Sequence, residues 1–299
     1  SIELSNRPST IMNRIVLLVL ISLCSASTVL ADGLPHYIAE NSFDISLRVC
    51  AEYFLVSNET IDGYYQQGFP EIEEVKQLLR CAMINLGAYD DTFGPLEYVL
   101  GNVFKPCPSD TEYAERTRSC VKKALDSICP SDVFSRAYAS FMCYYRGYGN
   151  LITDEFFIPN SLLELTQMML FVQSSLNLPD EVLVQYSQGN ILNEPNFPNV
   201  LYVWAVRGGY FSVDEGIQLE NLYIQYGIPG LLSQETRQCA ADVAQANCNL
   251  DLVTLLYNMY VTCLRPLLPF ESFVQTFAVE QLKCKTCGAV QPAKPSYTY

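Results

Sequence analysis

The chain has 299 residues, a formal net charge of −14 and an isoelectric point near 4.5, with 49% hydrophobic and 17% charged residues. Such acidity argues against nucleic acid or an anionic membrane surface as partner, because both need a basic footprint. The apolar content excludes a disordered acidic tail, and the length suffices for two domains with real cores.

The first readable segment is "MNRIVLLVLISLCSASTVLA", residues 12–31. A start Met12, a basic Arg14, an apolar run from Ile15 to Leu23 and then small residues have the form of a secretory signal peptide. Val29 and Ala31 place the cut after Ala31. Nine strongly apolar residues are too few to span a bilayer, so no membrane span remains once the signal is removed. Residues 1–11 read as translated upstream sequence. Removal of 1–31 takes Glu3, Arg7, Arg14 and Cys24, leaving 16 basic residues, 31 acidic residues and eleven cysteines from Asp32 onward. The expected compartment is extracellular, where disulfides persist. An odd cysteine count implies a spare thiol or an intermolecular bond. Asn58-Glu59-Thr60 is a sequon for N-glycosylation.

Further along, "DTEYAERTRSCVKKALDSI" reads as a helix. Ser109 and Glu112 have the spacing of a capping box at its start, and Pro130 stops it. "SDVFSRAYASFMCYY" repeats Phe134, Tyr138, Phe141 and Tyr145 at helical spacing. "NLDLVTLLYNMYVTC" carries Leu252, Leu255, Leu256, Met259 and Tyr260 in the same way. No convincing alternating strands are present, so the fold class is all-α.

The chain also repeats itself. "CVKKALDSIC" at 120–129 and "CAADVAQANC" at 239–248 share one cysteine frame 119 residues apart, followed by Cys143 and Cys263 respectively. "YQQG" at 65–68 matches "YSQG" at 186–189. "CAMINLGAYDDTFG" at 81–94 matches "VWAVRGGYFSVDEG" at 203–216 with an offset of 122. Repeats of this length are whole domains. The joint falls near "FFIPNSLLEL", which gives an expected first domain at 32–159 and a second, with a C-terminal tail, at 160–299.

Cys120 and Cys129 cannot bond to each other across a helix. Nine residues rise about 13 Å, whereas a disulfide needs Cα atoms within about 7 Å. Six cysteines allow 15 pairings, and spacing alone does not choose among them.

Duplicated helical domains, "AYASFMCYYRGYGNL" and "SQGNILNEPNFPNVLYVWAVRGGYFSVDEG" together resemble insect odorant-binding proteins, most closely their two-domain, atypical class in mosquitoes. The resemblance covers nearly the whole mature chain. It implies two tandem disulfide-stapled helical domains. It also implies pairs Cys50–Cys81 and Cys120–Cys143, with Cys107 taking over the bond to Cys129 because Gln77 stands where the family has its second cysteine. In the second domain it implies Cys239–Cys263. Cys248 has lost its partner and is expected to bond Cys284 or Cys287. The two ends of the remaining bond become residues near Phe171 and Val203.

The single His36 excludes a Ser-His-Asp site in the body of either domain and a His-rich metal site. Asp90-Asp91 and Asp214-Glu215 read as solvated turns, and Cys284-Lys285-Thr286-Cys287 lacks the strand–helix context of a redox pair. No catalytic constellation, cofactor or metal site is legible. The positive signal is aromatic. Phe134, Tyr138, Phe141 and Tyr145 in the first domain, with Trp204, Leu256, Met259 and Tyr260 in the second, are the expected lining of an apolar pocket.

The reading is a secreted, non-enzymatic carrier of small hydrophobic ligands. The resemblance makes them odorants or volatile lipids, with an olfactory receptor or another odorant-binding protein as the implied macromolecular partner. The alternatives are a salivary-type scavenger of host mediators and a thiol redox protein using Cys284 and Cys287. Ligand affinity is expected to change little between about pH 8 and 6 and to weaken near 5 or below as carboxylates are neutralised.

Overall fold

The computed structural model describes residues 38–247 and 249–286, the last three by backbone alone. The signal segment, His36, Cys248, Cys287 and the Cys284 side chain lie outside the described residues, as does the expected bond from Cys248 to the tail.

Helices dominate. The first half runs through α1 (Phe43–Tyr53), α2 (Asn58–Gln67), α3 (Glu73–Asn85), a short α4 (Glu97–Leu100), α5 (Tyr113–Ser127) and α6 (Val133–Gly147). The second runs through α7 (Leu162–Ser175), α8 (Asp180–Ser187), α9 (Phe197–Arg207), α10 (Leu219–Tyr226) and α11 (Gln234–Ala246). It ends with α12 (Leu252–Met259), which passes into a π-helical turn at Tyr260–Leu264, and α13 (Phe270–Thr286). Small polar residues start many of these helices by accepting the first free backbone N–H. Ser42 serves Ile45, Ser57 serves Thr60, Asp132 serves Ser135, and Asp251 serves Thr254.

The capping box expected at Ser109 and Glu112 does not form. The helix begins at Tyr113 without a side-chain cap, because Asp110 accepts the Glu112 N–H at 3.1 Å and Ser109 sits against the Cys107 sulfur. A capping box does occur at α7. There the Glu164 N–H meets the Ser161 Oγ at 3.3 Å and the Ser161 N–H meets the Glu164 carboxylate at 2.7 Å.

Short antiparallel ladders, each of two residues per strand, join the helices. β1 (Glu40–Asn41) pairs with β6 (Phe156–Phe157), and β4 (Phe104–Lys105) with β5 (Asn150–Leu151). The other two are hairpins, β2 (Tyr89–Asp90) with β3 (Gly94–Pro95) and β7 (Phe211–Ser212) with β8 (Gly216–Ile217). Two residues are too few to carry a period-2 pattern, which is why the sequence shows no strands.

The duplication is written in the backbone. Left-handed residues recur in register: Leu55 with Asn177, Gly68 with Gly189, Gly87 with Gly209, and Gly94 with Gly216. The hairpins repeat too, since Tyr89 pairs with Pro95 and Phe211 with Ile217. Each left-handed position stops a helix or turns a hairpin where only a few residue types fit.

Each half has an aromatic cluster within one continuous core, and Phe157 edge-on to Tyr210 at 5.8 Å joins the two. In the first, Phe141 stacks on Phe43 at 5.1 Å and on Tyr145 at 5.8 Å, with Phe69 edge-on at 5.2 Å. In the second, Trp204 lies 4.2 Å from Phe270 and 4.6 Å from Tyr210. Just past the joint, the Asn160 N–H donates to the Gln225 Oε1 at 2.7 Å and the Gln225 Nε2 donates back to the Asn160 carbonyl at 2.9 Å, tying the start of the second half to α10. Gly227 (φ +64°) lies so close to the Tyr98 ring that a Cβ would sit 2.6 Å from it.

Candidate functional site

Three of the expected disulfides are present. Cys50–Cys81 ties α1 to α3, Cys120–Cys143 ties α5 to α6, and Cys239–Cys263 ties α11 to the π-turn. The expected Cys107–Cys129 bond is not formed, and both are exposed free thiols. Each instead lies 3.1 Å from the hydroxyl of the serine two residues on, Ser109 and Ser131. Hydrogen bonding to those serines pulls both thiols below their usual range. The repeat offset of 122 also moves one vanished cysteine position from Phe171 to Val172. Val172 is fully buried as Cys50 is, while Phe171 is half exposed beneath the Arg207 guanidinium at 3.7 Å.

The expected pocket residues scatter. Phe134 is 38% exposed, with the Arg80 guanidinium 5.2 Å above its ring. Phe141 is in the core, and Tyr145 stacks on it. Trp204, Leu256, Met259 and Tyr260 are all buried in the second half. These rings occupy one another's space, because interiors pack to crystal density and an aromatic needs a neighbour on each face. Of the set, Tyr138 borders an open hollow. Its hydroxyl donates to the Phe69 carbonyl at 2.9 Å.

That hollow is a cleft of about 690 Å³ between α5 and α6. Its α6 wall is the stripe Ser135, Tyr138, Ala139, Met142 and Arg146, and its α5 wall is Arg116, Cys120, Ala124 and Ser127, continued by Ile128. Both stripes follow the three-and-four spacing of one helix face. The Cys120–Cys143 disulfide bridges the walls. α5 buries only Thr117 among its 15 residues, so it leans on this bond more than on apolar packing. Small side chains at Ala124 and Ala139 leave the space open.

The cleft carries its charged groups toward its two ends. At one end lie Arg116 and Arg146. Arg116 is fully engaged, donating to Asp110 at 2.5 Å and to the Gly147 carbonyl at 2.7 Å. At the other end lie Glu71 and Asp132, close to Lys76, whose ammonium reaches Ser135 at 3.2 Å. Tyr138 stands between them. Burial pushes its phenol up, Glu71 adds to that, and Arg146 opposes it. The Cys129 thiol lies on the rim and Cys107 does not. Residues 135, 138, 139, 142 and 146 were visible in the sequence as one face, but the large aromatics drew attention away from the small ones. Asn58 is exposed at the first turn of α2, accepting from Arg48 at 3.1 Å.

Residues 39–147, which include both walls of the cleft, match the model of the PBP/GOBP family. General odorant-binding protein 69 of Anopheles gambiae is 32% identical over 162 residues, a match spanning 50% of this chain and 70% of that protein. The chain belongs to this family of odorant-binding proteins. Among solved structures, odorant-binding protein 22a of Anopheles gambiae is 25% identical over 34% of this chain and 96% of its own, with a TM-score of 0.28. A form of it with bound cyclohexanone aligns at 0.29, with 25% identity, over 35% of this chain and 89% of its own. Members of the family are secreted carriers, and no helix among the described residues is long and apolar enough to cross a membrane. Those same residues contain no cluster of three or more metal-ligating side chains.

Proposed function

We propose that this odorant-binding family member is an extracellular, non-enzymatic carrier, and that the cleft between α5 and α6 holds small apolar molecules of the odorant or volatile-lipid class. The observation that carries the reading is the cleft itself. Its volume falls in the range of ligand pockets, its lining includes Tyr138, Ala139, Met142 and Ile128, and its charged groups stand toward its ends. Burying about 250 Å² of ligand surface at roughly 25 cal/mol per Å² supplies about 6 kcal/mol before the costs of association. That sets an expected affinity in the micromolar range or weaker. The division into domains at 32–159 and 160–299 belongs to the same proposal, as does removal of the signal after Ala31. The first domain is then the ligand-holding one.

Displacement of a fluorescent naphthylamine probe from the full secreted chain by dodecanol tests this. Ala139→Trp fills the middle of the cleft and is expected to lower affinity at least tenfold without changing the melting temperature by more than a few degrees. Unchanged binding in that variant would move the ligand elsewhere in the molecule.

A further inference from the structure

The charges around the cleft point to a more specific ligand. Four of the chain's 18 basic residues, Arg116, Arg118, Lys122 and Lys123, fall within the 15 residues of α5. With Glu115 and Asp126 on the same helix, α5 carries a net charge of +2 on a molecule of net charge −14. Arg118 is spoken for by Glu97 and Glu115, and Arg116 by Asp110 and Gly147. Arg146 and Lys123 have no carboxylate partner among the described residues. Arg146 lines the cleft in the last turn of α6, and Lys123 lines a shallower hollow that shares Arg116, Cys120, Ala124 and Ser127 with it. The opposite end carries the carboxylates of Glu71 and Asp132. From Ser135 to Arg146 the α6 wall is about 16 Å long, enough for an extended alkyl chain to lie along it.

We propose that this cleft selects amphiphilic anions, with a single carboxylate paired to Arg146 and an alkyl chain running over Met142, Ala139 and Tyr138 toward Ile128. The site is thus an oriented one: the Arg146 guanidinium attracts the head, whereas at the other end the Lys76 ammonium is already shared with Glu71 and Ser135 beside Asp132, so the head is favoured at the Arg146 end. Lys123 adds long-range attraction from the neighbouring hollow. A neutral alcohol of the same chain length gains the apolar contacts but not the ion pair. An exposed pair of this kind contributes modestly and is screened by salt.

This inference rests on the proposed carrier function of the same cleft, and the experiment separates the two. Dodecanoate and dodecanol are each competed against the naphthylamine probe on the full chain, at low and high salt, in wild type, Arg146→Gln, Arg146→Gln with Lys123→Gln, and Ala139→Trp. The expected result is a three- to fivefold preference for dodecanoate at low salt in wild type. That preference, read as the ratio of dodecanoate to dodecanol affinity within each protein, fades at high salt and disappears in the double variant. Equal affinity for the two ligands in wild type, or a preference that survives in the double variant, would overturn the selection of anions and leave the apolar carrier intact. Binding of both ligands that ignores Ala139→Trp would overturn the cleft itself and this inference with it.

Discussion

The two halves of the chain share one staple and spend the space beside it differently. In the first, Cys120–Cys143 crosses an open cleft walled by Ala124 and Ala139. In the second, Cys239–Cys263 occupies the equivalent place. Counting from those cysteines, Val243 stands for Ala124 and Met259 for Ala139. Met259 is 3% exposed, and Val243 packs on the core. The other staple differs in the opposite sense. The first half holds α1 to α3 with Cys50–Cys81, whereas the second has Val172 and Val203 at the matching positions of α7 and α9. One half keeps the Cys50–Cys81 link and small side chains beside the other staple, and the other lacks that link and places the larger Val243 and Met259 there.

The sharpest way to break this comparison is to exchange the fillings. Ala124→Val with Ala139→Met gives the first half the second half's side chains and is expected to cost at least tenfold in dodecanol affinity. The converse, Met259→Ala, removes a buried side chain from a close-packed interior and is expected to cost about 2–5 kcal/mol in chemical denaturation. A loss below about 1 kcal/mol would mean that the second half collapses easily around the gap, and that its interior is not the rigid one described.

The staples come next. Replacing Cys50 and Cys81 together by alanine should cost about 2–4 kcal/mol, chiefly by freeing the unfolded chain. Cysteines introduced at Val172 and Val203 should form the bond that the second half lacks and raise its melting temperature. If neither cysteine pair changes the order in which the halves unfold, followed by hydrogen exchange on either side of residue 160, the two halves unfold as one unit. The asymmetry then has no thermodynamic consequence.

A smaller effect separates the two free thiols. Cys129 borders the cleft and Cys107 does not, yet both are exposed and both have a serine hydroxyl at 3.1 Å. Without ligand, iodoacetamide should label both at comparable rates. Saturating dodecanol should slow Cys129 severalfold and leave Cys107 unchanged, read by peptide mass spectrometry. Equal protection of both would report a global change in place of occupancy of the cleft. The same experiment counts thiols: an unlabelled Cys107–Cys129 peptide would restore the fourth bond that the family resemblance implies.

The sequence made the architecture legible because its signals are local and repeated. Glycines at 68, 87, 94, 189, 209 and 216 must stand where the chain turns left-handed, and cysteines at 50, 81, 120, 143, 239 and 263 must meet in pairs. The site was less legible for a physical reason. Large aromatics such as Phe141 and Trp204 are strong sequence signals, but a core needs them more than a pocket does, and both are buried against other rings. A pocket is made by what is small or missing. Ala124 and Ala139 attract no notice in a sequence, and whether their space stays empty depends on how far α5 stands from α6, which no spacing encodes. The absent Cys107–Cys129 bond is a similar case: each residue lies at the right point in the chain, but pairing is decided by where two loops meet.

The smallest expected effect is the response to pH. Every resolved carboxylate shift among the described residues is downward. Backbone and side-chain hydrogen bonds from Ser135 hold Asp132 below the ordinary range at the start of α6, and those from Thr254 do the same for Asp251 at α12. Arg80 does so for Asp91, and Arg116 for Asp110. A carboxyl whose folded value is depressed stabilises the fold fully above its unfolded value, about 3.9 for Asp, and loses that contribution as pH falls through the folded value. The expected window therefore lies below about pH 4, lower than the onset near 5 that carboxylate repulsion alone suggests. Dodecanol, which does not titrate, should bind with unchanged affinity from pH 8 to 5. Below about pH 4 it should be released together with loss of helical circular dichroism, as Asp132 stops capping the wall of the cleft. Asp132→Asn, which keeps a capping oxygen but cannot titrate, should move the onset of release lower still. A tenfold loss of affinity centred near pH 6.5 and abolished by His36→Ala would assign the response to the histidine and remove these carboxylates from it.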